Sequence, residues 1–138
     1  MDVELRKAKN LADKYLILFL LMNEWVKVKQ MNLSISDILI KNGYRRIGIY
    51  GMSYVGQRLV DELENKAVEV KYCIDKNTTG STYKSKKITN IDGIDKDVDC
   101  IVVTPVFYFD EIAKEIRDKV SVKVVSLEEI IYGLTVNV

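Results

Sequence analysis

Three small residues have the spacing of a phosphate-binding glycine turn. Gly51, Ser53 and Gly56 follow an apolar run marked by Ile47 and Ile49. In a dinucleotide site the first glycine makes the tight turn, the second lets backbone N–H groups approach the pyrophosphate, and the third lets helix and strand pack closely. Ser53 stands in the middle position, where its hydroxyl could donate to phosphate while its Cβ narrows the approach. The pattern predicts an anion site at the start of the next helix, where free N–H groups and the helix dipole favour negative charge.

An acidic residue follows this turn at the distance expected of a ribose ligand. Asp75 lies 24 residues after Gly51 and 19 after Gly56, and about 20 is the spacing at which an acid accepts a hydrogen bond from a ribose hydroxyl. A carboxylate there would repel the 2′-phosphate of NADP, so Asp75 favours NAD. Lys76, the next residue, weakens that preference.

The elements that would position these residues alternate between strand and helix patterns from Arg45 onward. Continuous or period-two apolar runs predict strands, and apolar residues three or four positions apart predict helices. The predicted strands lie at residues 47–49, 68–74, 100–103 and 122–125, and the predicted helices at 55–63, 109–116 and 126–133, where Gly133 closes the last helix. This alternation indicates an α/β domain with a parallel sheet built from βαβ units.

Two segments around the turn resemble a known group of domains. Residues 43–56, GYRRIGIYGMSYVG, and 72–77, YCIDKN, resemble the NAD(P)-binding Rossmann-like domains of bacterial polysaccharide and nucleotide-sugar biosynthesis proteins, including the N-terminal domains of nucleotide-sugar dehydratases and sugar acyltransferases. The resemblance covers about residues 45–133 and is shared in outline with CoA-binding domains. It implies a Rossmann-like three-layer α/β domain with a central parallel sheet.

The resemblance also implies where a ligand would bind. The implied cofactor-binding residues are Gly51, Ser53, Tyr54, Val55, Gly56, Asp75 and Lys76, with Thr104 and Pro105 flanking the crevice after a central strand. NAD or NADP is the expected cofactor, and a nucleotide sugar or CoA is the alternative. An enzyme of glycan biosynthesis is the implied partner.

The N-terminal segment, residues 1–43, is predicted to be a helical extension, whereas the domain at 44–138 shows alternating strand and helix patterns. Residues 3–30 lack Gly and Pro and predict one long helix, with Asn23 as the position where it could break. Leu5, Ala12, Phe19 and Val26 recur every seven residues. The helix is either clamped under the domain or shared with a second subunit, and we favour the homo-oligomer because so small a domain has little surface to cover it. A second, short helix is expected from Ser34 to about position 42.

Composition excludes several classes of function. The 138 residues fit one domain, so we expect no separate catalytic domain, and a formal net charge of +1 argues against nucleic acid as a partner. The longest apolar run, residues 15–22, is too short to span a membrane. Residues 1–10 do not resemble a secretory signal, and Cys73 and Cys100 are expected to be buried reduced thiols, so we expect a cytoplasmic protein.

No catalytic or metal-binding residue is predicted. The chain has no His. Two Tyr–Lys pairs, Tyr72 with Lys76 and Tyr83 with Lys87, have the spacing used by short-chain dehydrogenases, but Tyr72 falls in a strand and Tyr83 in a polar loop. The acidic residues between 92 and 99 lack a metal-loop pattern and indicate a solvated turn. Lysines 84, 86 and 87 predict a solvated hairpin, with a phosphate or partner contact as the alternative.

Three classes of function remain open at this point. The first is a nucleotide-binding or dinucleotide-binding module in polysaccharide biosynthesis. The second is a sugar-nucleotide oxidoreductase or dehydratase that works with a partner chain. The third is an interaction scaffold that binds no ligand. The glycine turn and Asp75 favour the first.

Overall fold

The structure is a computed structural model that describes residues 2–136. In chain order its helices and strands are α1 (Val3–Gln30), α2 (Ile35–Lys41), β1 (Arg46–Tyr50), α3 (Tyr54–Leu63), β2 (Glu69–Ile74), β3 (Thr82–Tyr83), β4 (Lys86–Thr89), β5 (Cys100–Val103), α4 (Phe109–Lys119), β6 (Lys123–Ser126) and α5 (Leu127–Val136). Single 3-10 turns at Ile91–Gly93 and Val106–Tyr108 precede β5 and α4.

The strands form one sheet in the order β3-β4-β2-β1-β5-β6. β1 runs parallel to both β2 and β5, the β2–β4 and β5–β6 pairs are also parallel, and β3 runs antiparallel to β4. The protein is therefore mixed α/β with a mostly parallel sheet, as the alternating pattern predicted. The chain winds outward from β1 through β2 and β4, and outward in the opposite direction from β5 to β6. The winding thus reverses between β1 and β5.

Helices cover both faces of the sheet. The four residues of β5 are all buried, which explains their continuous apolar sequence. On one face α2, α3, α5 and the C-terminal part of α1 pack over Ile47 and Ile49. On the other face Ile112 and Ile116 of α4 pack in one cluster with Tyr50. Successive residues of β1 therefore serve different cores, and the side chain of Tyr50 lies on the α4 side.

Helix α1 is unbroken at Asn23 and attaches to the domain through its C-terminal third. Leu21, Trp25 and Val28 are buried, and the Trp25 Nε1–H donates to Glu62 Oε1 of α3 at 3.2 Å. The preceding residues are largely exposed. No helix among residues 2–136 is long and apolar enough to cross a membrane.

Two details of the sequence prediction differ from the structure. The polar stretch after Asp75 forms a hairpin, with Lys84 and Ser85 at positive φ in its turn. The difference is that β4 of this hairpin also pairs parallel to β2 in the main sheet and buries Ile88. Helix α5 does not end at Gly133, so that prediction was wrong. It continues to Val136, and partly buried Leu134 packs against the core, because a helix can pass through a glycine when a following apolar residue gains burial.

Candidate functional site

An open cleft of about 530 Å³ lies at the carboxyl ends of β1, β2 and β5. Most of the predicted site residues line it, namely Gly51, Ser53, Val55, Asp75, Lys76, Thr104 and Pro105. Two do not. Tyr54 is 83% exposed, and Gly56 is buried beneath the turn. The structure therefore brings together residues from three strand ends, of which the first and the last, at Gly51 and Thr104, are 53 positions apart in the sequence.

The glycine turn requires glycine at both of its retained positions. Gly51 has φ +100°, and a Cβ there would lie 2.5 Å from Thr104 Oγ1 and 2.6 Å from Pro105 Cδ. A Cβ on Gly56 would overlap the Gly51 carbonyl oxygen. Gly51 thus supplies a backbone conformation that L-residues rarely adopt, and Gly56 permits the close approach of helix and strand.

Thr104 holds the turn in place rather than facing a ligand. Its side chain is buried. The Oγ1–H group donates to the Gly51 carbonyl oxygen at 2.8 Å, and the Tyr50 carbonyl oxygen at 3.2 Å is a second, longer acceptor. Its backbone N–H also donates to the Tyr50 carbonyl at 3.0 Å. The end of β5 is thereby tied to the end of β1.

Replacing Thr104 by valine tests this role. Valine has a similar volume but no hydroxyl, so the buried Gly51 carbonyl loses its donor, and we expect a loss of about 1–2 kcal/mol in the free energy of unfolding. Urea denaturation followed by the fluorescence of Trp25 measures the change. Thr78→Val, at an exposed threonine, is the matched control and is expected to change stability by less than about 0.5 kcal/mol. Equal effects of the two substitutions would contradict the role of Thr104.

The N-terminus of α3 has backbone donors available at the edge of the cleft. Ser53 is the N-cap residue, is exposed, and makes no side-chain capping hydrogen bond. Its carbonyl accepts from the Gln57 N–H at 3.0 Å. The amides of Ser53, Tyr54 and Val55 have no hydrogen-bond acceptor within residues 2–136. The hydroxyl that replaces the middle glycine therefore does not satisfy these donors.

Asp75 faces the glycine turn but already has two backbone partners. Its Oδ2 accepts from the Met52 N–H at 2.8 Å, and its Oδ1 accepts from the Asn77 N–H at 2.8 Å. A carboxylate oxygen has two lone pairs, so each oxygen retains one acceptor site. Asp75 thus fixes the turn from the end of β2, and a ribose hydroxyl would use its remaining acceptor sites.

Comparison with protein families gives one match. A family model described as C2185-like, N-terminal, matches residues 43–131, which is more than half of the chain. The chain belongs to this family. No curated protein and no solved structure shows a significant match to the chain.

The C2185-like N-terminal domain supplies most of the cleft, and helix α1 supplies the rest. Lys14 and Leu18 of α1 line the cleft from outside the matched residues. The Lys14 ammonium lies 4.8 Å from the centroid of the Phe107 ring and 5.7 Å from that of Tyr108, distances at which a cation is attracted to an aromatic face. No spacing rule in the sequence relates Lys14 to these rings, because the pair forms only when α1 docks.

Three further ionisable residues of the lining were not among the predicted site residues. They are Tyr50, Glu111 and Glu115. All three line the cleft of the C2185-like N-terminal domain on the side of α4. The four-residue spacing of the glutamates places them on one helix face and was the available signal, but it does not show which surface that face meets.

The two tyrosines considered for catalysis lie outside the cleft, and their hydroxyl groups have other partners. The Tyr72 hydroxyl donates to the Asp95 carbonyl at 2.7 Å, and burial raises its pKa to about 12. The Tyr83 hydroxyl donates to Asp61 at 2.8 Å and accepts from Arg58 at 3.1 Å. The Tyr72 phenol is therefore not arranged to ionise near neutral pH, and the Tyr83 hydroxyl is held between Asp61 and Arg58.

The two cysteines are free and buried, as predicted. Burial raises the pKa of Cys73 to about 11 and that of Cys100 to about 12. Both thiols therefore remain protonated at neutral pH and behave as small apolar side chains.

The charged groups after β2 have structural partners. Asp99 accepts from the backbone N–H groups of Arg45 and Arg46 at 2.8 and 3.0 Å, and these bonds lower its pKa. Lys84 pairs with Glu64 at 2.7 Å and Asp61 at 3.0 Å. Among residues 2–136 no group of three or more acidic or cysteine side chains is placed to hold a metal ion.

Proposed function

We propose that this chain is a Rossmann-like module that binds a nucleotide carrying a diphosphate, either an NAD-like dinucleotide or a nucleotide sugar, and serves bacterial polysaccharide biosynthesis. The proposal rests on the backbone amides of Ser53, Tyr54 and Val55. They lie at the N-terminus of α3, at the edge of the cleft, and have no hydrogen-bond acceptor within residues 2–136. Phosphate groups are among the anions that such donors favour. We expect the module to act in the cytoplasm beside an enzyme of glycan synthesis, a role that rests on the resemblance of residues 43–56 and 72–77.

The position of the cleft supports the proposal. In open parallel sheets, ligands bind outside the carboxyl ends of the strands, where the winding reverses. Here that point lies between β1 and β5, and Gly51 and Thr104 meet there at the floor of the cleft. The cleft volume of about 530 Å³ is within the range usual for ligand sites.

Calorimetric titration with NAD, NADP, CoA and UDP-glucose tests the proposal. We expect at least one of these compounds to bind. Ser53→Glu places a carboxylate beside the free backbone amides at the N-terminus of α3, and we expect it to weaken that binding at least tenfold. Because Ser53 is exposed and its side chain makes no capping hydrogen bond, and because a carboxylate near a helix N-terminus interacts favourably with the helix dipole, the variant should remain folded.

Ser121→Glu is the matched control for this variant. Ser121 is an exposed serine in the connection from α4 to β6, at the opposite end of the sheet, so it adds the same charge away from the cleft. Absence of binding by all four compounds would overturn the proposal and favour the interaction scaffold. Turnover of UDP-glucose by the chain alone would favour the enzyme.

We further propose that the chain forms a homo-oligomer through α1. The α1 stripe (Leu5, Ala12, Phe19 and Val26) faces solvent, and Leu5, Phe19 and Val26 are 59, 68 and 53% exposed. Six large apolar side chains on this side of the helix are exposed, Leu5, Leu11, Tyr15, Leu16, Phe19 and Val26. At roughly 100 Å² each they offer about 600 Å², one partner's share of a small protein interface. A repeat of seven residues is the spacing at which helices of identical chains pack together.

A further inference from the structure

The side of the cleft opposite the α3 N-terminus contains a buried phenol without a partner. Tyr50 is 6% exposed, and its hydroxyl makes no hydrogen bond within residues 2–136. No buried side-chain oxygen of the described residues is both fully enclosed and unpartnered, so this hydroxyl must reach open space, and the cleft is the space that Tyr50 lines. Burial, together with the carboxylates of Glu115 and Asp75, raises the pKa of Tyr50. The hydroxyl is therefore protonated at neutral pH and available as a donor.

The ionisable groups around this phenol are mostly acidic. Glu111 and Glu115 of α4 line the cleft with Asp75. The cationic lining residues are Lys14, whose ammonium lies against the rings of Phe107 and Tyr108, and Lys76. On the α4 side the carboxylates of Glu111 and Glu115 therefore favour hydrogen-bond donors over anions.

An aromatic pair completes this part of the cleft. Phe107 and Tyr108 pack edge to face, with centroids 4.6 Å apart and planes at 72°, and both line the cleft. Carboxylates and a phenol provide hydrogen-bonding partners for hydroxyl groups, and ring faces supply apolar contact for C–H groups. An uncharged sugar presents both kinds of surface.

We propose that the α4 side of the cleft holds the uncharged, hydroxyl-bearing sugar of a nucleoside diphosphate sugar, while the amides of α3 hold its diphosphate. The inference rests on the proposed function and selects one ligand class from those it leaves open. It assigns recognition of the sugar to Tyr50, Glu111 and Glu115. A sugar that carries a carboxylate would be disfavoured by the two glutamates.

Titration of the full chain with UDP, UDP-glucose and UDP-glucuronate tests the inference. We expect UDP-glucose to bind at least tenfold more tightly than UDP, and UDP-glucuronate to bind at least tenfold more weakly than UDP-glucose. Tyr50→Phe should weaken UDP-glucose about fivefold, the loss of one hydrogen bond, and leave UDP unchanged. Glu115→Gln should improve UDP-glucuronate binding at least threefold.

Asp118→Asn is the matched control for Glu115→Gln, since Asp118 is exposed, lies on the same helix and is outside the cleft lining. It should leave all three affinities unchanged. Equal affinities for UDP and UDP-glucose, or for UDP-glucose and UDP-glucuronate, would overturn the inference and leave the proposed function intact. Binding of NAD without any binding of UDP would likewise overturn the inference and leave the proposed function intact. Failure of every nucleotide would overturn the proposed function and this inference together.

Discussion

Alanine in place of Gly51 is expected to lower the free energy of unfolding by about 3 kcal/mol. Two costs combine at this position. A φ of +100° is strained for any residue with a Cβ, and that Cβ would also press on Thr104 Oγ1 and Pro105 Cδ, which belong to the end of β5. To relieve the overlap the β1 turn and β5 must separate, so the Thr104–Gly51 hydrogen bond should lengthen as well.

Urea denaturation measures the effect, and Gly80→Ala separates its two components. Gly80 also has a positive φ, +91°, but no atom lies within 4 Å of the position that a Cβ would take there. Alanine at this site should cost only the conformational part, about 1 kcal/mol. If Gly51→Ala proved no more destabilising than Gly80→Ala, the packing of the turn against Thr104 and Pro105 would be wrong.

The sequence predicts the framework of the candidate site because its signals are local. An apolar run, a glycine turn and an amphipathic stripe follow one another within residues 47–63, and each identifies its own element. Asp75 could be placed beside the turn because parallel neighbours end at the same edge of a sheet. The role of Thr104 was less accessible. The structure places Thr104 among the residues that line the cleft, but its bond to the Gly51 carbonyl depends on the pairing of β1 with β5.

What sequence reasoning missed depends on contacts between distant segments. Tyr50 occupies an inward position of β1, as many core residues do, and only the placement of α4 leaves its hydroxyl open to the cleft. Lys14 enters the cleft because the C-terminal third of α1 docks on the domain. The sequence predicted a hairpin at this position but not the pairing of β4 with β2. Lys86 and Lys87 precede the single buried residue Ile88, and the pairing is a tertiary effect.

Glutamate in place of Phe19 is expected to raise the dissociation constant of the homo-oligomer at least 100-fold. Phe19 lies in the middle of the α1 stripe and is 68% exposed in the single chain, so association would bury it against another α1. In a symmetric assembly each interface receives the new carboxylate from both chains, and both charges would have to leave water without a partner. The isolated fold should be unaffected within about 0.5 kcal/mol, because the side chain is largely exposed in the single chain.

Light scattering between about 1 and 100 µM measures the association, and Asn10→Glu is the matched control. Position 10 is exposed and lies nine residues from position 19, which is about half a turn around the helix axis. The control adds the same charge to the same helix on the face opposite the α1 stripe, so it should leave the assembly intact. If the unmodified chain stays monomeric at the highest concentration, the proposed homo-oligomer is wrong. If both variants weaken association equally, association depends on the net charge of α1 and not on the α1 stripe. Loss of assembly in Phe19→Glu alone, with unchanged urea denaturation, would instead assign the exposed half of α1 to contacts between chains, since the domain core is complete without it.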